Sequence, residues 1–179
     1  MRSLKFPLEC IFFAAILLSL CGCPYDSEVP LTRSEDACID LDLVGNWLYR
    51  SADQKDSGTI TFSPFNEHEF LVILQEKGVH TREYYRAMGS NIDGDKFLNV
   101  QGIRPSFEKK SWTFVNYSVS QGELKIRIVE DKLFKEKFTS SVSLSAFIKT
   151  HLKDKDLYGD DGGKVLTFVK EVSPRPNPE

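Results

Sequence analysis

The chain has 179 residues, 41% of them hydrophobic and 12% aromatic, with 23 Lys and Arg against 26 Asp and Glu. That composition suits one ordinary globular domain and is too apolar for a disordered chain. A formal charge of -3, with no basic run standing apart from nearby acids, excludes the electrostatic footprint of a nucleic-acid binder.

Met1 to Glu9 carries Arg2 and Lys5, Ile11 to Leu20 is solidly apolar, and Leu20-Cys21-Gly22-Cys23 follows directly. This is a signal-peptide pattern over residues 1–22. The apolar run falls short of the ~20 residues that span a bilayer. Leu20-Cys21-Gly22-Cys23 resembles the lipobox of bacterial lipoproteins. The resemblance implies cleavage before Cys23, whose thiol then carries diacylglycerol. Cys21 is the rival position, preceded by the bulkier Leu20. With the amine acylated too, three chains hold the protein firmly, since each buried methylene contributes ~0.8 kcal/mol. In the lipoprotein sorting rule, Asp after the lipidated cysteine signals retention at the inner membrane. Pro24 stands there instead, which implies the periplasmic face of the bacterial outer membrane.

After removal of 1–22 the cysteines are Cys23 and Cys38. Cys38 is then unpaired, with no histidine near it in sequence, so a buried or bland free thiol is expected rather than a nucleophile. Residues 23–41, polar, acidic and broken by Pro24 and Pro30, read as a lipidated cysteine and flexible tether. Fully extended, Pro24 to Asp40 reaches ~55 Å, enough to hold a domain clear of lipid headgroups. At the other end, residues 173–179 contain three prolines and read as a disordered tail.

The domain is expected over 42–172. Leu43–Arg50, Gly58–Ser63, Glu69–Gln75, His80–Ala87, Lys96–Gln101, Trp112–Val119, Glu123–Glu130 and Lys132–Phe138 are short runs rich in Val, Ile, Thr, Phe and Tyr. Turn signals such as Lys77-Gly78, Asp93-Gly94 and Gln121-Gly122 separate them. In Glu123–Glu130, Leu124, Ile126 and Ile128 alternate with Lys125 and Arg127, as in a half-buried strand. Regular spacing without intervening helices predicts a mainly β fold, an antiparallel meander that closes into an eight-stranded barrel, stays a strongly bent sheet, or folds into a sandwich. One segment departs from this pattern. In Ser143–Leu152, Leu144, Phe147, Ile148 and Leu152 share one helical face, with Ser141 or Ser143 as cap. A last strand, Val165–Val172, follows this amphipathic helix.

That order, with Leu43-Val44-Gly45-Asn46-Trp47 at the first strand, resembles the lipocalin-like (calycin) group. The resemblance covers about 43–172 and rests on Gly45 and Trp47. It implies an indole across the closed end of the barrel and a helix packed outside its wall. The Thr-Asp-Tyr motif of true lipocalins is absent. Phe97-Leu98-Asn99-Val100 and Trp112-Thr113-Phe114-Val115-Asn116-Tyr117 are also similar in style to small proteobacterial lipoproteins of unknown function, a resemblance that implies no activity.

No Gly-x-Ser-x-Gly, His-Glu-x-x-His or phosphate-cradling glycine loop occurs. His68, His80 and His151 are far apart, and Asp154-Lys155-Asp156-Leu157-Tyr158-Gly159 departs from a calcium loop at Tyr158 and at Val165. No catalytic residue, metal or cofactor is expected. What remains is a set of aromatic and polar residues on strands. Tyr85 and Ala87 share one face of their strand, Tyr84 and Arg86 the other. Trp47, Tyr85, Phe97, Asn99, Trp112 and Phe114 are the expected wall of a site for a small apolar or amphipathic ligand. The alternative is a filled core, leaving a noncatalytic module that meets an envelope protein through a sheet face or edge.

Overall fold

The computed structural model describes residues 23–50, 57–103, 110–159 and 162–171. The expected export signal and tail lie outside these residues.

Eight antiparallel strands, β1 (Gly45–Arg50), β2 (Ser57–Pro64), β3 (Glu69–Glu76), β4 (Glu83–Ile92), β5 (Asp95–Gly102), β6 (Thr113–Ser120), β7 (Glu123–Ile128) and β8 (Leu166–Lys170), form a closed barrel in simple meander order. β8 closes it on β1 through Trp47↔Lys170, Leu48↔Val169 and Tyr49↔Phe168. Closure satisfies the edge groups that an open sheet would expose. Two hairpins turn in the minimum of residues. Asp93 and Gly94 both hold positive φ (56° and 94°), as do Gln121 and Gly122 (51° and 77°). This backbone matches the twist of the flanking strands.

One α-helix is found among the described residues, α1 (Ser141–His151), before the last strand. Ser140, rather than Ser141 or Ser143, caps it, its hydroxyl accepting from the Ser143 amide at 3.2 Å. Leu144 and Ile148 are buried on its inner face. The expected strand over Lys132–Phe138 is absent: Asp131–Leu133 is a 3-10 turn. The aromatic residues that suggested a strand serve another purpose. Phe134 stacks on Tyr25 with centroids 3.6 Å apart and meets Phe147 of α1 at 4.9 Å.

The segment expected as a tether lies instead along the barrel. Tyr25, Leu31 and Ala37 are buried. Pro24 and Ser27 make β-bridges to Glu130 and Trp112. Leu31 is held on both sides, its amide donating to Asn99 Oδ1 and its carbonyl accepting from Ser145 Oγ of α1. Apolar burial explains the difference, since the segment and α1 together cover an apolar outer wall of β4, β5 and β6.

The molecule therefore has two cores. Inside the barrel lie Trp47, Phe62, Phe70, Ala87, Leu98, Leu124 and their neighbours. Outside the wall, Met88, Phe97 and Phe114 pack against Tyr25, Leu31, Leu144 and Ile148.

Candidate functional site

Strand direction gives the barrel two unlike ends. The hairpins β2–β3, β4–β5 and β6–β7 turn at the end where β1 begins. Residues 37–43 cross this end. His68 Nδ1 pairs with the Ala37 carbonyl at 2.7 Å. Gly89 lets the Cys38 carbonyl oxygen come so close that a Cβ there would stand 2.7 Å from it. Asp40 then accepts from Lys96 Nζ at 2.8 Å and from the Tyr117 hydroxyl at 2.9 Å. Burial pushes the Asp40 carboxyl up, but hydrogen bonds from Lys96, Tyr117 and the Asp42 amide outweigh it and hold the group below its ordinary value. Burial, reinforced by Asp40, drives the Tyr117 phenol far up.

Trp47 is the floor of the interior. Its indole is fully buried and donates to the Leu43 carbonyl at 2.7 Å. The ammonium of Lys170, on the last strand, lies 5.0 Å from the ring centroid, within the range of a cation–π contact. Gly45 holds a φ of 123°, a backbone conformation that favours glycine; a Cβ there would only touch the Lys170 stem at an ordinary 3.5 Å.

The opposite end is different. Leu74, Tyr85, Val100, Ile126 and Leu166 continue the inner apolar face but are only half-buried. The Tyr85 hydroxyl donates to Glu83 at 2.7 Å. Among the described residues, this end is apolar on its inner face and carries the Tyr85–Glu83 pair at its edge.

Of the residues singled out in the sequence, Trp47 and Tyr85 belong to the interior, Trp47 at its floor and Tyr85 nearer its mouth. Phe97, Asn99, Trp112 and Phe114 do not join them; they face outward, under the N-terminal segment. Asn99 spends its amide on structure, donating to the Met88 carbonyl at 3.0 Å and Ser90 Oγ at 2.8 Å and accepting from Leu31. Trp112 exchanges both backbone hydrogen bonds with Ser27 and lies under the Arg86 guanidinium, 5.1 Å away. Arg86 in turn pairs with Glu69. Leu74, Val100, Ile126 and Leu166 were missed. The parity of Leu74 with Phe70 and Val72 on β3 was the available signal.

Comparison of the chain with protein-family models, curated proteins and solved structures finds no match.

Cys23 and Cys38 are both exposed thiols. The Cys23 carbonyl accepts from the Asp131 amide at 3.0 Å. A surface cleft of ≈ 160 Å³ lies between Tyr25, Ser27, Lys110, Ser111, Lys137 and Phe138. That is below the ~300 Å³ at which drug-sized sites begin. Among the described residues no three of His, Cys, Asp and Glu gather as metal ligands. Asp154 and Asp156 are engaged locally, Asp154 capping the Asp156 amide at 3.0 Å and Asp156 pairing with Lys132 at 2.6 Å.

Proposed function

We propose that this chain is a noncatalytic, lipid-anchored envelope protein, lipocalin-like in plan, that takes a small apolar or amphipathic ligand at the open end of its barrel. Cys23 carries the anchor, and the periplasmic face of the outer membrane is its location. The observation that carries the ligand reading is the change along the inner face. It stays apolar from Phe70 and Leu98 to Leu74, Val100 and Ile126, while burial falls from complete to partial. An eight-stranded barrel is wide enough either to be filled or to hold one small ligand. At the closed end the Lys170 ammonium lies over the fully buried Trp47, which supports the lipocalin-like plan.

A second reading, a module that meets an envelope protein, is favoured by Leu41 and Phe65. These are exposed by 74% and 71% at the closed end, where a protein partner would cover them. One experiment separates the two: titration of the purified domain with an environment-sensitive fatty-acid fluorophore. On the ligand reading the probe binds, Leu74→Arg weakens it at least several-fold, and Phe65→Ser changes nothing. Absence of binding, or binding indifferent to Leu74→Arg, refutes the ligand reading.

A further inference from the structure

We infer that the mouth of the barrel faces the bilayer surface, so that ligand enters from lipid and not from the aqueous phase. This rests on the anchored reading of Cys23 above. The geometry behind it is the path of residues 23–43. Val129 and Glu130 follow β7 at the open end, and Trp112 precedes β6 at the same end. Tyr25 donates to the Val129 carbonyl at 3.0 Å, Ser27 pairs with Trp112, and the Cys23 carbonyl is fixed by Asp131. From there the segment descends the outer wall past Asn99 to Asp40 and Leu43 at the floor. Cys23 therefore stands beside the mouth, with no free linker between it and the barrel.

An extended tether would have let the domain tumble tens of ångströms above the membrane. Here the acyl chains leave from the thiol and amine of Cys23, a residue whose own carbonyl is already bonded to Asp131 beside the barrel rim. The eight residues of β2 span ~26 Å before tilt, so floor and mouth differ greatly in height above the lipid.

The rim suits this neighbour. Tyr84, Ile103 and Val165, exposed by 43%, 47% and 50%, all lie at the open end, and Ile103 donates to the Tyr84 carbonyl at 2.8 Å. An amphipathic Tyr beside aliphatic side chains belongs at headgroup depth. Exposed Lys110, near Ser27 and two residues before Trp112 at this end, can meet lipid phosphates. The floor also shows apolar residues, Leu41 and Phe65, so apolarity alone chooses neither end. The position of Cys23 does.

The test uses full-length, processed lipoprotein in vesicles of phosphatidylethanolamine and phosphatidylglycerol. In a Cys38→Ser background, I103C or Y84C at the mouth, or F65C at the floor, carries a fluorophore, and lipids bearing a headgroup nitroxide quench it. Quenching several-fold stronger at positions 103 and 84 than at 65 is expected. Equal quenching, or stronger quenching at 65, overturns the orientation while leaving anchor and ligand readings standing. Intact mass reports the anchor separately: a Cys23 without diacylglycerol overturns the anchor and this orientation with it.

Discussion

Leu31 donates its backbone N–H to Asn99 Oδ1 at 2.6 Å, joining residues 68 apart in sequence across a buried interface. Asn99 is fully buried on β5 and has every polar atom engaged. A residue that reads as a ligand contact is thus the fastening of the N-terminal segment to the barrel wall. Asn99→Ala leaves the Leu31 amide and the Ser90 hydroxyl without this partner, at a cost of about 1–3 kcal/mol. Hydrogen exchange should quicken over residues 24–37 while β1–β3 keep their protection. Uniform loss of protection would mean that segment and barrel are one cooperative unit.

Gly89 is set by close approach. Ala at this position brings Cβ within 2.7 Å of the Cys38 carbonyl oxygen, which is backbone and cannot swing aside. Gly89→Ala should destabilise by about 1–3 kcal/mol and lift residues 37–43 from the floor. Urea unfolding and the reactivity of the Cys38 thiol read the two effects. An unchanged midpoint would contradict the packing described.

Asp40 links stability to acid. Its carboxyl lies below its ordinary value when folded, so between the two values the unfolded chain binds more protons. The stabilisation is complete above the unfolded value of ~3.9 and is lost as pH falls through the folded one. Asp40→Asn should therefore lower the urea midpoint at pH 7. The gap to wild type should narrow toward pH 3. A gap constant with pH would show that the carboxylate charge contributes nothing.

At the alkaline end, burial pushes the Tyr158 phenol up to about 12, against the pull of the Arg127 guanidinium stacked 4.0 Å from its ring. Tyr117 lies higher still. Because both are raised, their contribution is full below the unfolded value of ~10 and is lost as pH climbs. Phenolate absorbance should show a late phase that coincides with loss of near-ultraviolet dichroism. A single phase completed in folded protein would contradict the burial of these two rings.

The barrel was legible because its strands alternate and its turns carry Asp-Gly and Gln-Gly. Leu124 and Ile126 point inward while Lys125 points out, and the sequence pattern says as much. β5 is another matter. Phe97, Leu98 and Asn99 are all buried, because this strand has the interior on one face and the N-terminal segment with α1 on the other. A strand covered on both faces has no alternation to read. The choice of Phe97 and Asn99 as interior residues failed for that reason, and Trp112 and Phe114 on the neighbouring wall went with them. The packed segment was missed because its apolar residues, Tyr25, Leu31 and Ala37, are isolated among acids and prolines, and their partners lie far away in sequence. Trp47 kept its place at the floor, since Gly45 and Trp47 begin the first strand.

The most direct measurement is native mass spectrometry of the barrel domain purified from its own cell envelope, followed by organic extraction. A bound apolar or amphipathic molecule, lost on denaturation and depleted by Leu74→Arg, is the expected result. An apo mass in every preparation, together with no uptake of added lipid, would contradict the ligand reading and leave the exposed Leu41 and Phe65 face as the place to look for a partner.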